Sequence, residues 1–250
     1  MLACHLPITT PRFLTGQARA FGPNGEASAI DKQIEVKPLT LTTLGFSGDQ
    51  QGDPRYHGGP DKALHHYASD HYPAWRAHLP TAQVERCIPG AFGENLSTTG
   101  LTESTLCVGD IFSLGNTVIQ VTQARQPCWK LNLRFNQPDM ARQVQESAKT
   151  GWYYRVLEPG LVSPGDALRL LERPHADWSL ARLLHYLYAD PLNRQALTAM
   201  AELSALTPSW RQLAQRRLQT GQVEDWTRRL TTPAVSAAKP NKLVSTRPAN

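Results

Sequence analysis

The sequence predicts a mainly β (α+β) protein, in which a barrel or sandwich of short strands precedes a small three-helix α domain. Three observations predict it. Short β-patterned stretches broken by Gly, Pro and Asn turns fill residues 16–171. After Pro174 the apolar period changes to three and four residues. With 250 residues, the chain suits one large domain, or one medium domain with a small appendage.

Leu64, Tyr67, His71 and Trp75 recur at helical spacing, so residues 61–78 read as helical at least in part, with Pro73 expected to end or kink the helix. The clearest hairpin joins residues 110–114 to 117–122 through Gly115-Asn116, a pair that suits a tight two-residue turn. A short helix is expected over residues 138–147, and a strand over 152–157 that Pro159-Gly160 closes. Gly109-Asp110 and Gly165-Asp166 each lead into an alternating stretch. Leu180, Leu183, Leu184 and Leu187 give one apolar helix face that ends at Pro191. Leu192, Ala196 and Met200 line a second helix. Thr207 caps a third with Pro208 at its first position, Trp210, Leu213 and Leu218 facing inward and Gly221 terminating it. The expected domains are 1–171 and 172–231, followed by a Pro-, Ala-, Ser- and Lys-rich tail, 232–250, that reads as disordered.

Apolar residues make up 40% and charged residues 19%, the balance of an ordinary soluble protein. No apolar run approaches the roughly 18 residues of a membrane span. Residues 1–13 lack the basic cluster and apolar stretch of a secretory signal, so the expected location is cytoplasmic. The net charge of +5 is uneven: residues 1–172 hold 15 basic and 16 acidic side chains, residues 173–250 hold 11 and 5. A basic segment attracts nucleic acid, membrane or an acidic protein, and charge alone does not choose among them. Nucleic acid is disfavoured, because residues 207–218 show no helix-turn-helix spacing and their large apolar side chains look committed to packing.

Cys4, Cys87, Cys107 and Cys128 are scattered, without the paired spacings of zinc sites or redox dithiols. Cys128 differs from the others in standing between Arg125 and Lys130, cations that favour the thiolate, the form that attacks electrophiles or binds soft metals. Two polar loops add candidates. His57-Gly58-Gly59-Pro60-Asp61-Lys62 is a glycine turn with an imidazole and an amine, suited to a close ligand such as a phosphate. Residues 91–100 offer Glu94, Asn95 and Ser97 as acceptors and donors for a heterocycle edge. His65, His66, Asp70 and His71 raise the question of zinc without a zinc-protease spacing, and Cys128 with His57 as base raises that of a cysteine hydrolase.

In order and spacing, His57-Gly58-Gly59-Pro60-Asp61-Lys62, Phe92-Gly93-Glu94-Asn95-Leu96 and the hairpin ending in Arg125-Gln126-Pro127-Cys128 resemble MOSC-domain proteins, named for the C-terminal domain of molybdenum cofactor sulfurase. The helices that follow are similar to the three-helix domain of the YiiM-type branch. The resemblance implies a β-barrel-like MOSC fold that binds the molybdenum cofactor, Mo-molybdopterin, with Cys128 as a protein ligand to molybdenum. It implies Arg125, Lys130 and Lys62 for the cofactor phosphate, and His57, Asn95, Ser97 and Asn132, beside the Gly58-Gly59 turn, for the pterin edge or oxo ligands. It further implies a detoxifying reductase of N-hydroxylated compounds such as N-hydroxylaminopurine base analogues, releasing amine and water, with Glu94 or His57 delivering a proton. No flavin, haem or iron–sulfur pattern is present, so electrons are expected from a separate flavoprotein, docked on the basic helices through Arg211, Arg216, Arg217, Arg228 and Arg229. The alternative within the family is a non-redox carrier of the cofactor, or of sulfur on Cys128.

Overall fold

The computed structural model describes residues 6–236. The strands are Arg12–Thr15 (β1), Arg19–Ala20 (β2), Ala27–Ser28 (β3), Gln33–Ile34 (β4), Leu39–Thr42 (β5), Gly45–Phe46 (β6), Leu64–Ala68 (β7), Leu96–Thr98 (β8), Ile111–Leu114 (β9), Thr117–Ala124 (β10), Trp152–Glu158 (β11), Gly160–Val162 (β12) and Leu168–Glu172 (β13). Eight of them form one mixed sheet in the order β13-β9-β10-β11-β7-β8-β1-β4, antiparallel except for the β7–β8 pair. The sheet curls so far that Leu168 of edge strand β13 donates its amide to Thr9, just ahead of β1. The result is the barrel-like wrap expected of the sequence.

The β9–β10 hairpin keeps its expected register, with Thr117 opposite Leu114 across the two-residue turn. Residues 64–68 depart from expectation. They form the parallel-paired strand β7, with all five residues buried. A strand covered on both faces shows no alternation, and a chance three-to-four spacing of apolar residues then reads as helix. The helix begins later, at Tyr72–His78 (after the short helices α1, Pro54–His57, and the turns at Pro60–Lys62 and Ser69–His71); this is α2, and Pro73 lies in its first turn. Proline fits there because the first amides have no intrahelical acceptor.

Thr81–Val84 (α3), Lys130–Arg134 (α4) and Met140–Glu146 (α5) cover the sheet on one side. Their packing forms a core of Tyr67, Trp75, Phe92, Leu131, Phe135 and Val144. Leu180–Leu184 (α6) runs into a π-helical turn, His185–Ala189, and is followed by Arg194–Glu202 (α7), Pro208–Thr220 (α8) and Thr227–Leu230 (α9). The inward stripe of α8 is Trp210, Ala214 and Arg217, whereas Leu213 and Leu218 are half-buried and Leu192 is exposed. The Thr207 hydroxyl does not cap α8. It donates to Gln123 Oε1 (2.8 Å) in β10, a buried bond between helices and sheet.

Leu183, Leu187, Leu197, Met200, Leu206 and Trp210 belong to the same buried cluster as Phe112, Ile119, Val121, Trp152 and Tyr154 of the sheet. The three helices therefore share one core with the strands. Of the expected disordered tail, residues 232–236 are described and have no regular secondary structure, while 237–250 lie outside the described residues.

Candidate functional site

Cys128 follows the end of β10 by four residues, in the irregular turn between that strand and α4. The Arg125 amide is held by Gly151 O (2.9 Å), which fixes where the turn leaves the sheet. Gly151 adopts φ 75°, and a Cβ there would lie 2.4 Å from His66 O, so only glycine fits. On the opposite wall, the α1 turn ends at His57, and the Pro60–Lys62 turn is pinned to β10 and β11. Thr122 Oγ1 donates to Asp61 O (2.7 Å), and Arg155 pairs with the Asp61 carboxylate (2.7 Å). Gly59, at φ 95°, makes the sharp bend between His57 and that turn.

These segments enclose a cleft of ≈ 570 Å³, counted to its solvent-open mouth, that brings His57, Lys62, Asn95, Arg125, Cys128 and Lys130 together. His57 Nε2 lies 3.9 Å from Cys128 Sγ, and the thiol is 8% exposed. Burial by itself pushes the thiol up, but the hydrogen bond and charge of His57, the Arg125 guanidinium and the Lys130 amide outweigh it and bring it down to about 6. The balance favours the thiolate, through the Arg125 charge as expected but through the backbone amide of Lys130, whose ammonium donates instead to Ala27 O (2.6 Å).

Lys32 and His65 also line the cleft, and sequence reasoning did not assign them there. Lys32 has no neighbouring motif to mark it. Tertiary structure buries it against Asp49 (2.5 Å), and desolvation lowers its pKa below the usual ammonium value, with the Asp49 charge offsetting only part of that. Burial and the Arg125 charge hold His65 well below the usual imidazole value, so its ring is neutral. The lining thus carries Lys32, Lys62, Arg125 and Lys130, and no carboxylate among the described residues. Two buried polar atoms, Arg125 Nη1 and His65 Nε2, have no hydrogen-bond partner among the described residues. Buried polar groups left open by the fold mark a place where a ligand completes the bonding. A soft thiolate, an anion-favouring wall and open polar atoms together fit a phosphorylated, thiolate-ligated metal cofactor.

Several expected site residues lie elsewhere. Glu94 turns away from the cleft: its carboxylate accepts from the amides of Gly90 (2.7 Å) and Phe92 (3.1 Å) and from the Tyr72 hydroxyl. Completely buried and so bound, it shapes the 90–94 loop and has no free oxygen to shuttle a proton from the cleft. Asn132 is likewise structural, with Nδ2 donating to Leu230 O (2.9 Å) and Oδ1 accepting from Ala141 N (2.8 Å). Ser97 pairs with Ser69 (2.8 Å) and lines a separate cavity with Arg12 and Arg76. Gly58 and Gly59 set the turn without lining the cleft. Asn95 does line it, but its Nδ2 is shared between Leu14 O and Asp49 Oδ2, which makes it a brace for the Lys32–Asp49 pair.

The residues considered for zinc disperse. His66 Nδ1 meets the Tyr154 hydroxyl and Nε2 the Thr98 hydroxyl, with burial taking its pKa down to about 3. His71 binds Glu103 (2.7 Å), and Asp70 accepts from the Gly100 amide. Among the described residues no three His, Cys, Asp or Glu side chains gather in a metal-binding group. Nor is any helix there long and apolar enough to cross a membrane.

Comparison with known proteins accords with this architecture. Residues 53–169 match the MOSC domain and residues 178–221 the YiiM-like, 3-alpha helix domain. Protein YiiM of Escherichia coli (strain K12) is 41% identical over 216 residues, covering 86% of this chain and 95% of that protein. A protein named Reductase from Gibberella moniliformis is 36% identical over 194 residues, 77% of this chain but 34% of its own length. The crystal structure of YiiM from Escherichia coli superposes with a TM-score of 0.77 at 35% identity, covering 90% of this chain and 99% of that one. The chain thus belongs to the MOSC-domain family, in the branch that carries the YiiM-like three-helix domain.

Proposed function

We propose that the protein is a molybdenum-cofactor-dependent reductase of N-hydroxylated compounds, such as N-hydroxylaminopurine base analogues, acting in the cytoplasm with electrons from a separate flavoprotein. The observation that carries this reading is the Cys128 sulfur, 3.9 Å from His57 Nε2, in a cleft whose charged lining is cationic. A relative named Reductase supports the class of reaction. When bound, the cofactor supplies two-electron reduction of the N–OH group. Cys128 is the protein ligand to its metal, a soft anion for a soft centre. Lys62, Arg125, Lys130 and Lys32 hold its phosphate and other anionic edges by charge-assisted hydrogen bonds. Open donors and acceptors at Arg125 Nη1 and His65 Nε2 orient it.

His57, half-buried beside Sγ, is the group placed to hand a proton to a leaving hydroxyl. Since Glu94 is committed elsewhere, the proton role falls on His57 alone of the two expected donors. A cysteine hydrolase would use the same Cys128–His57 contact. A lining with Lys62, Arg125 and Lys130 and two buried polar atoms left open suits a large anionic cofactor better than the neutral carbonyl of an ester or amide.

The test is metal and pterin analysis of wild type beside Cys128→Ala, with N-hydroxylaminopurine reduction assayed under a chemical reductant. Wild type is expected to hold about one molybdenum per chain and to turn over, and the variant to lose both by at least an order of magnitude. Undiminished loading and turnover in Cys128→Ala would refute the reading. A wild type that binds cofactor but reduces no N-hydroxylated substrate would make it a carrier.

A further inference from the structure

We propose that Arg229, C-terminal to both family-matched segments, is a positioning residue that clamps the Cys128 turn from behind, so that residues 226–236 form a strap integral to the site. This rests on the reading of Cys128 as the site's thiolate. The two residues that flank Cys128 are both tied to this one arginine. Its Nη1 donates to Pro127 O (2.6 Å), while its own carbonyl accepts from the Trp129 amide (2.7 Å). The second arm of the guanidinium donates to Gln145 Oε1 on α5, which fixes the fork between the turn and a packed helix. The contact spans about a hundred residues of sequence and adds to the local bonds of the turn, in which Cys128 O and Trp129 O accept from the Leu131 and Asn132 amides (3.0 and 2.9 Å).

The strap is itself anchored on both sides. Leu230, 4% exposed, sits in the core with Leu131 and Phe135, and Asn132 Nδ2 donates to Leu230 O and Thr232 Oγ1. Before it, Trp226 packs edge-on against Tyr188 and donates to Glu224. Beyond it, Asn24 Nδ2 donates to Ala234 O, and the Ser236 amide donates to Asn24 Oδ1. A turn with Pro127 on one side of the sulfur lacks an amide it could use for self-bonding. Held at Pro127 O and Trp129 N, the turn keeps the Cys128 sulfur 3.9 Å from His57 Nε2 and at its place in the cleft lining. A shift on the order of 1 Å in such a group is enough to weaken what it does.

The test reads the turn itself and needs no titration. Hydrogen exchange of peptides spanning residues 125–132 is measured by mass spectrometry on the full-length wild type, Arg229→Ala and Arg229→Lys, with peptides from the β10–β11 pair as the reference for global folding. Arg229→Ala should speed exchange of residues 125–132 by about tenfold or more while the reference peptides keep wild-type rates, and Arg229→Lys should recover part of the protection. Buried Cys87 and Cys107, probed with iodoacetamide, report folding in the same samples. If Arg229→Ala exposes them, Arg229→Lys decides: faster exchange of residues 125–132 with Cys87 and Cys107 silent supports the clamp. Unchanged exchange of that segment in the folded Arg229 variants overturns it, whatever Cys128→Ala does to molybdenum.

Discussion

Cys128 is buried yet charged, a combination that costs several kcal/mol unless specific groups offset the desolvation. Here the offset is local: an imidazole at 3.9 Å, a guanidinium and a backbone amide. Linkage turns this into a pH dependence. Because the folded-state value, about 6, lies below the ordinary thiol value of 9.0, the thiolate's stabilisation is full above pH 9 and is lost as pH falls to about 6. Wild type should therefore gain stability over Cys128→Ala by up to ~1.4 kcal/mol per pH unit across that window. Urea unfolding of both proteins at three pH values measures it, and parallel stability curves would contradict the assigned thiolate. Glu94 is the converse case. Burial raises its pKa, against the lowering effect of Tyr72 and the backbone amides, and its place in the 90–94 loop is structural.

Among the elements, α8 shows how a residue type misleads when its burial is unknown. Arg217 reads as one more positive charge on a basic helix, but it is 2% exposed. Its guanidinium pairs with Glu224 (2.8 Å) and donates to Leu187 O (3.0 Å) and Pro191 O (3.3 Å), tying α8 to the π-helical segment and the turn after it. It cannot serve a docking surface. Arg229 is also committed, to the Cys128 turn. Because the Glu224 side chain is 31% exposed and solvent takes up part of its charge, Arg217→Met should cost about 1–3 kcal/mol of stability, chiefly from the carbonyls left without a donor. Chemical denaturation checks this, and a loss below about 1 kcal/mol would mean that the pair adds little.

Taken as a whole, the molecule sets the Cys128 cleft beside the sheet, while its C-terminal helices share the larger of two cores with the strands, and residues 173–236 carry 8 basic and 5 acidic side chains. Arg216 and Arg228 are the exposed members of the basic set expected to meet an electron donor. Reversing both to Glu should slow turnover with an acidic flavoprotein severalfold, with the difference shrinking as ionic strength rises. Turnover driven by a small reducing dye should stay at the wild-type rate. Equal rates with the protein donor at low salt would remove these arginines from the docking face.

The mainly β class, the β9–β10 hairpin, the α5 helix and the three C-terminal helices were legible in the chain, because turn residues and apolar period are local signals. The Arg125 charge near Cys128 was legible for the same reason, whereas Lys130 reaches the sulfur through its backbone amide and sends its ammonium to Ala27 O. Strand β7 was not, since burial on both faces erases alternation. Nor were the roles of Lys32, Glu94, Asn132 and Arg229. Each is decided by partners from about 4 to about 100 positions away, and a side chain's duty depends on what the fold sets against it. By itself the sequence determined the family and pointed to Cys128; which groups surround that sulfur and hold it in place was decided by tertiary packing, because hydrogen bonds and desolvation act through space and not along the chain.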